Sequence, residues 1–249
     1  MKDDILLKKL KLYEEDFKCF MGIEEFPDYD LQKKIASVAV ADKQGFEVAA
    51  SAHYQVETKK HLLTISEKLT LSKHLIFHEF THILDSEMYT NGDNVRYVGL
   101  LGFTEYHASQ IELLQLLGRN SVCAPFHFSM SDNIETFSGT KSVKQYVNDK
   151  QQHAIDLFSR EDFPENINTL KSAIGVLYNY FGLRSICEMY AVDFEEHINN
   201  QAYLNFISTQ QFTILNNLMH GWLDNTKIDL SINLYNGIMI PLATAYKLI

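Results

Sequence analysis

Apolar residues recur at three- and four-residue intervals over the first twenty positions. Ile5, Leu6, Leu10, Tyr13 and Phe17 fall near helical spacing, which predicts an amphipathic helix over residues 3 to about 20. The rhythm then changes. In "KIASVAVADKQGFEVAASAHYQVETKKHLLTIS" three β-prone runs, 35–41, 46–56 and 61–66, are separated by "DKQG" and "ETKK", and a small antiparallel meander is expected. From Leu69 onward helical spacing returns, over about 68–88, 100–118, 141–159, 166–181, 183–199 and 202–221. "MYTNGDNV" and "SVCAPFHFSMSDN" read as loops between these helices. The pattern therefore predicts an α+β fold: a small antiparallel sheet packed on two helices, followed by a mostly α-helical C-terminal half. A division into 1–120 and 121–249 is expected, with the loop around 121–140 as the boundary.

Composition narrows the function. The 249 residues are 46% hydrophobic and contain only 4 prolines and 11 glycines, which suits a packed core built from long helices. A net charge of −10 speaks against sequence-independent binding of nucleic acid, which needs Lys and Arg to neutralise phosphates. Cys19, Cys123 and Cys187 are far apart and form no C-x-x-C pair, so neither a disulfide framework nor a thiolate zinc site is indicated. The N-terminal "MKDDILLKKLKLYEEDF" lacks the apolar run of a secretory signal. The tail "LYNGIMIPLATAYKLI" is short and interrupted by Asn236, Gly237 and Pro241, which argues against a bilayer span. The expectation is a cytoplasmic protein with neither a membrane nor a nucleic-acid partner; the oligomeric state stays open.

The candidate chemistry lies in "LSKHLIFHEFTHILDSE", residues 71–87, where His78, Glu79 and His82 spell H-E-x-x-H. Positions i and i+4 of a helix share a face, so two imidazoles can reach one metal ion. Glu79, one residue round, can act as the general base on a water that the metal holds. The plainer alternative is an amphipathic helix with two incidental histidines. Ile76, Phe77, Phe80, Ile83 and Leu84 would bury its remaining faces.

A catalytic zinc usually takes a third protein ligand. Glu105, in "GFTEYHASQIELL", follows His82 by a loop and a return helix; His107, Glu112 and Asp85 are its rivals. His74 extends the row of histidines, but it lies about 12 Å from His82 along a helix axis, beyond what one metal bridges. Asp85, His107 and Glu112 are also candidates to orient the ligands from behind, with a solvated acid as the alternative for Asp85. Tyr54, Tyr97, Tyr106 and His107 are candidate oxyanion donors. The run "HLLTIS" could take an extended peptide by strand addition, or be an ordinary strand.

His78, Glu79 and His82 with Glu105 on the next helix resemble the gluzincin arrangement of zinc metallopeptidases. The order strand, H-E-x-x-H helix, then Glu105-Tyr106-His107-Ala108 is similar to the ImmA/IrrE type of small bacterial metallopeptidase. The likeness covers roughly residues 35–118. Thr81 stands where that group usually has Gly, and Ser109 stands where thermolysin-like gluzincins place an acid. The resemblance implies a Zn2+-dependent peptidase with Glu79 as general base and a protein or peptide substrate, often a repressor. Its alternative is a non-catalytic zincin-like binding module that docks a protein partner.

Overall fold

The computed structural model describes residues 3–34, 49–67, 71–196 and 200–249. The elements run α1 (Asp3–Met21), β1 (Tyr29–Lys34), β2 (Ala50–Gln55), β3 (Lys60–Ser66), α2 (Lys73–Tyr89) and α3 (Asn94–Leu116). They continue with β4 (Asn133–Thr136), β5 (Gly139–Ser142), α4 (Val143–Phe158), α5 (Ile167–Tyr190), a short 3-10 turn (Tyr203–Asn205), α6 (Thr209–Leu218) and α7 (Asn225–Ala245). This is the expected α+β class with a mostly helical C-terminal half. Two compact units form, Met1–Tyr97 with Ile111–Pro125, and Val98–Gln110 with Phe126–Ile249; α3 is continuous and contributes to both.

In the first unit β3 is the central strand. β2 pairs with it antiparallel, from Ala50 opposite Ile65 to Gln55 opposite Lys60. β1 pairs with it parallel, from Tyr29 opposite His61 to Lys34 opposite Ser66. The sheet is thus mixed, where an antiparallel meander was expected. The reason lies in the strands. β3 is nearly all buried, as a strand covered on both faces must be, whereas β1, "YDLQKK", has one aliphatic residue and no strand-like run to betray it. The expected run 46–56 contains β2, and 61–66 covers β3 but for its first residue, Lys60; the run 35–41 and residues 46–48 lie outside the described residues. Phe17 and Phe20 of α1 meet Phe77 of α2 edge to face, with ring centroids 5.2 and 5.5 Å apart. Ile76, Phe77, Phe80, Ile83 and Leu84 are all buried, as the helical spacing predicted.

In the second unit the hairpin β4–β5 leads into α4, whose N-cap Ser142 accepts from the Gln145 amide. α5 begins at a capping box made by Asn166 and Thr169 and runs unbroken for 24 residues, where two helices meeting near Gly182 were expected. Arg184 on α5 is wholly buried. Its guanidinium pairs with Glu188 at 3.2 Å and Glu196 at 2.9 Å, donates to the Met219 carbonyl and His220 Nε2, and stacks on Phe181. α7 runs through the tail whose Asn236, Gly237 and Pro241 predict interruption. Pro241 leaves the carbonyl of Gly237, four residues back, without its helical donor, and the Gln211 side chain donates to that carbonyl at 2.8 Å. Among the described residues no helix is long and apolar enough to cross a membrane. The three cysteines are free.

Candidate metal centre

α2 starts after Ser72 and presents His78 and His82 one turn apart, their rings edge to face with centroids 4.8 Å apart. α3 is capped by Asp93, which accepts from the Arg96 amide, and carries Glu105 at its midpoint. One ligand atom from each of His78, His82 and Glu105 lies within 4.8 Å of the others, and all three residues are partly buried. Among the described residues no other group of three His, Cys, Asp or Glu side chains converges in this way. Two imidazoles and a carboxylate are donors of the type that hold zinc and related divalent ions, so the group can hold a metal ion.

The other candidate residues take distinct places. Glu112 lies two turns beyond Glu105 on α3, and its carboxylate stands 3.0 Å from His78 Nδ1. A carboxylate there selects the tautomer protonated on Nδ1, so that Nε2 is the nitrogen offered to a metal. His74 is half-buried, 3.4 Å from the Ser72 hydroxyl; burial holds its imidazole below the usual range, against the pull of Glu112. Asp85 is 1% exposed, which rules out the solvated acid considered for it. His107 stacks on Phe103 and meets Trp222 edge to face. Thr81 is buried and its hydroxyl donates to the Phe77 carbonyl within the helix.

Glu79 has a partner that residue types alone do not reveal. Its Oε2 accepts the backbone N–H of Ala52 on β2 at 2.6 Å. Two residues along, the Tyr54 N–H donates to the Tyr97 hydroxyl at 3.2 Å, and that hydroxyl also meets His53 Nδ1 at 3.2 Å. Ala52 and Tyr54 thus turn their amides away from β3, so Glu79 and Tyr97 sit on the outer edge of the sheet. The run "HLLTIS" is an ordinary strand, the alternative considered for it: β3 is paired on both sides and has no edge to offer an added strand. Of the oxyanion candidates, Tyr106 donates to the Gly221 carbonyl, and Tyr54 is buried with its ring on His61. Tyr97 keeps its hydroxyl at the strand edge, its phenol pushed up by burial and partly relieved by the Tyr54 amide.

Two further histidines are engaged elsewhere: His61 with Glu87, and His220 with Glu188. His197 lies outside the described residues.

Searches for similar proteins return no matching family model, curated protein or solved structure.

Proposed function

We propose that this chain is a zinc-dependent peptidase of the gluzincin type, with His78, His82 and Glu105 as the metal ligands and Glu79 as the general base. The observation that carries the reading is the convergence of those three side chains within 4.8 Å, with Glu79 in the same turn of α2. A zinc ion held there would supply Lewis acidity, polarising a carbonyl and lowering the pKa of water toward about 7. Glu112 orients His78 through Nδ1. Glu79 takes the proton of the attacking water and later delivers it to the leaving amine. Its anchor on the Ala52 amide keeps the base beside the outer edge of β2. An extended peptide pairing with that edge would take over the amides of Ala52 and Tyr54 from Glu79 and Tyr97. A protein or peptide segment in extended conformation is therefore the proposed substrate class.

A second reading has one observation in its favour. The Glu79–Ala52 hydrogen bond gives Glu79 a structural task, so its presence is also compatible with a non-catalytic zincin-like module that docks a protein.

Metal analysis and Glu79→Gln decide between them. The peptidase reading expects stoichiometric zinc in both proteins, hydrolysis of an unfolded protein substrate by the wild type, and a loss of about 100-fold or more in Glu79→Gln. Zinc without turnover in either protein, together with a lowered melting temperature in Glu79→Gln, would point to the docking module. Failure to take up zinc would end both readings.

A further inference from the structure

Among the described residues β2 is an outer strand of its sheet, and its sequence, "ASAHYQ", carries neither the lysine nor the proline that commonly guards an exposed edge. Two side chains from the helices that follow take that place. Glu79 of α2 accepts the Ala52 N–H at 2.6 Å, and Tyr97, in the first turn of α3, accepts the Tyr54 N–H at 3.2 Å. The capped amides are two residues apart, about 7 Å along a strand, and a neighbouring strand would meet both with its carbonyls. The Tyr97 ring lies against Tyr54 and His53, with centroids 5.7 and 6.0 Å away. Its hydroxyl accepts from the Tyr54 amide and has one proton to give, and His53 Nδ1 stands 3.2 Å from it. In an antiparallel ladder a residue that turns its N–H outward turns its C=O outward too. The caps do not serve those carbonyls of Ala52 and Tyr54: an ionised carboxylate only accepts, and the Tyr97 proton is directed at His53.

We propose that Tyr97 is a latch on the β2 edge: it closes the edge at Tyr54 in the free chain, and an extended peptide displaces it in order to pair there. The proposal rests on the reading above that a peptide adds to this edge, and it makes access to the edge a regulated step. An extended segment brings a carbonyl to each outward N–H and an N–H to each outward carbonyl, so it satisfies four groups where the caps satisfy two. Each cap that is displaced subtracts one hydrogen bond from that gain. The latch therefore lowers affinity without forbidding binding. Of the two caps, Tyr97 is the one that can be removed alone, because Glu79 is also the proposed base.

The test measures the binding of fluorescein-labelled β-casein, an unfolded chain, by anisotropy. Whole-chain Glu79→Gln is compared with the double variant that adds Tyr97→Phe, so that turnover does not interfere. Tyr97→Phe keeps the ring against its neighbours and deletes only the hydroxyl. It is expected to bind casein about 2- to 10-fold more tightly, the worth of one hydrogen bond. Hydrogen exchange supplies a second readout: without casein the Tyr54 amide should exchange faster once the hydroxyl is gone, and casein should slow it again. Equal or weaker binding by the Tyr97→Phe protein, with the Tyr54 amide protected by casein, would overturn the latch and leave the edge standing as the peptide site. Unchanged binding with hydrolysis lost, when Tyr97→Phe is made alone, would also overturn it and make the hydroxyl a transition-state donor. Casein that binds without protecting the Tyr54 amide, or does not bind at all, would overturn both the latch and the edge reading beneath it.

Discussion

Glu112 illustrates how much a single side chain decides here. Seven residues beyond Glu105 on α3, it stands 3.0 Å from Nδ1 of His78, one of the proposed ligands. Glu112→Ala removes the acceptor that fixes the imidazole tautomer, and the ring can then turn or protonate on the wrong nitrogen. If the proposed centre holds zinc, the expected result is a loss of about 10- to 100-fold in affinity with the three proposed ligands intact, read by chelator competition. An unchanged affinity would mean that the ring is held by its packing alone. At this scale the candidate site was legible wherever its geometry is written in residue type and helical period. His78, Glu79 and His82 are adjacent because a helix makes i and i+4 adjacent, and Glu105 came into view as a carboxylate on the next helix. The partner of Glu79 was not legible. A backbone amide donates from any residue but proline, so nothing in the letter of Ala52 marks it.

Helix α5 shows a glycine acting as a contact where a break was expected. Gly182 interrupts an apolar pattern, and such a residue reads as a helix end because it weakens a helix by up to about 1 kcal/mol relative to Ala. In the fold it sits inside α5 with its backbone against α3, where a Cβ would stand 2.1 Å from the Tyr106 carbonyl oxygen. The two effects oppose each other in Gly182→Ala. Helix propensity gains up to about 1 kcal/mol; overpacking against a fixed backbone costs about 1–3 kcal/mol or more. Because the clash is with backbone, which cannot rotate away, the loss should win. We expect a lower urea midpoint at unchanged m-value; a more stable variant would show that α3 and α5 are farther apart than described. α7 was missed for a related reason. Pro241 and Gly237 are breakers in isolation, and only the donor from Gln211, 26 residues away, makes the helix tolerable. Strand β1 was hidden for want of apolar alternation.

Across the whole chain, burial leaves a signature in alkaline titration. Tyr29, Tyr106, Tyr178, Tyr203 and Tyr235 all lie above their ordinary value of 10.0, with burial as the largest cause in each. The same cause pushes Tyr180 and the Cys187 thiol up to about 12, from 10.0 and 9.0. These acids keep their protons in the folded chain at pH values where the unfolded chain has released them. Above about pH 9 the folded state therefore binds more protons than the unfolded state, and stability must fall as pH rises from there past 12. Ionisation also adds negative charge to a chain that already carries −10. The urea midpoint should be nearly level between pH 7 and 8.5 and clearly lower at pH 10.5. Tyrosinate absorbance should rise in two stages. Exposed phenols should ionise reversibly near pH 10, and the buried set should ionise together with loss of the helical circular dichroism signal. A single tyrosinate transition near pH 10 with helicity intact would contradict the buried aromatic core. The two stages are expected to survive Tyr235→Phe, because the remaining phenols are buried on other elements.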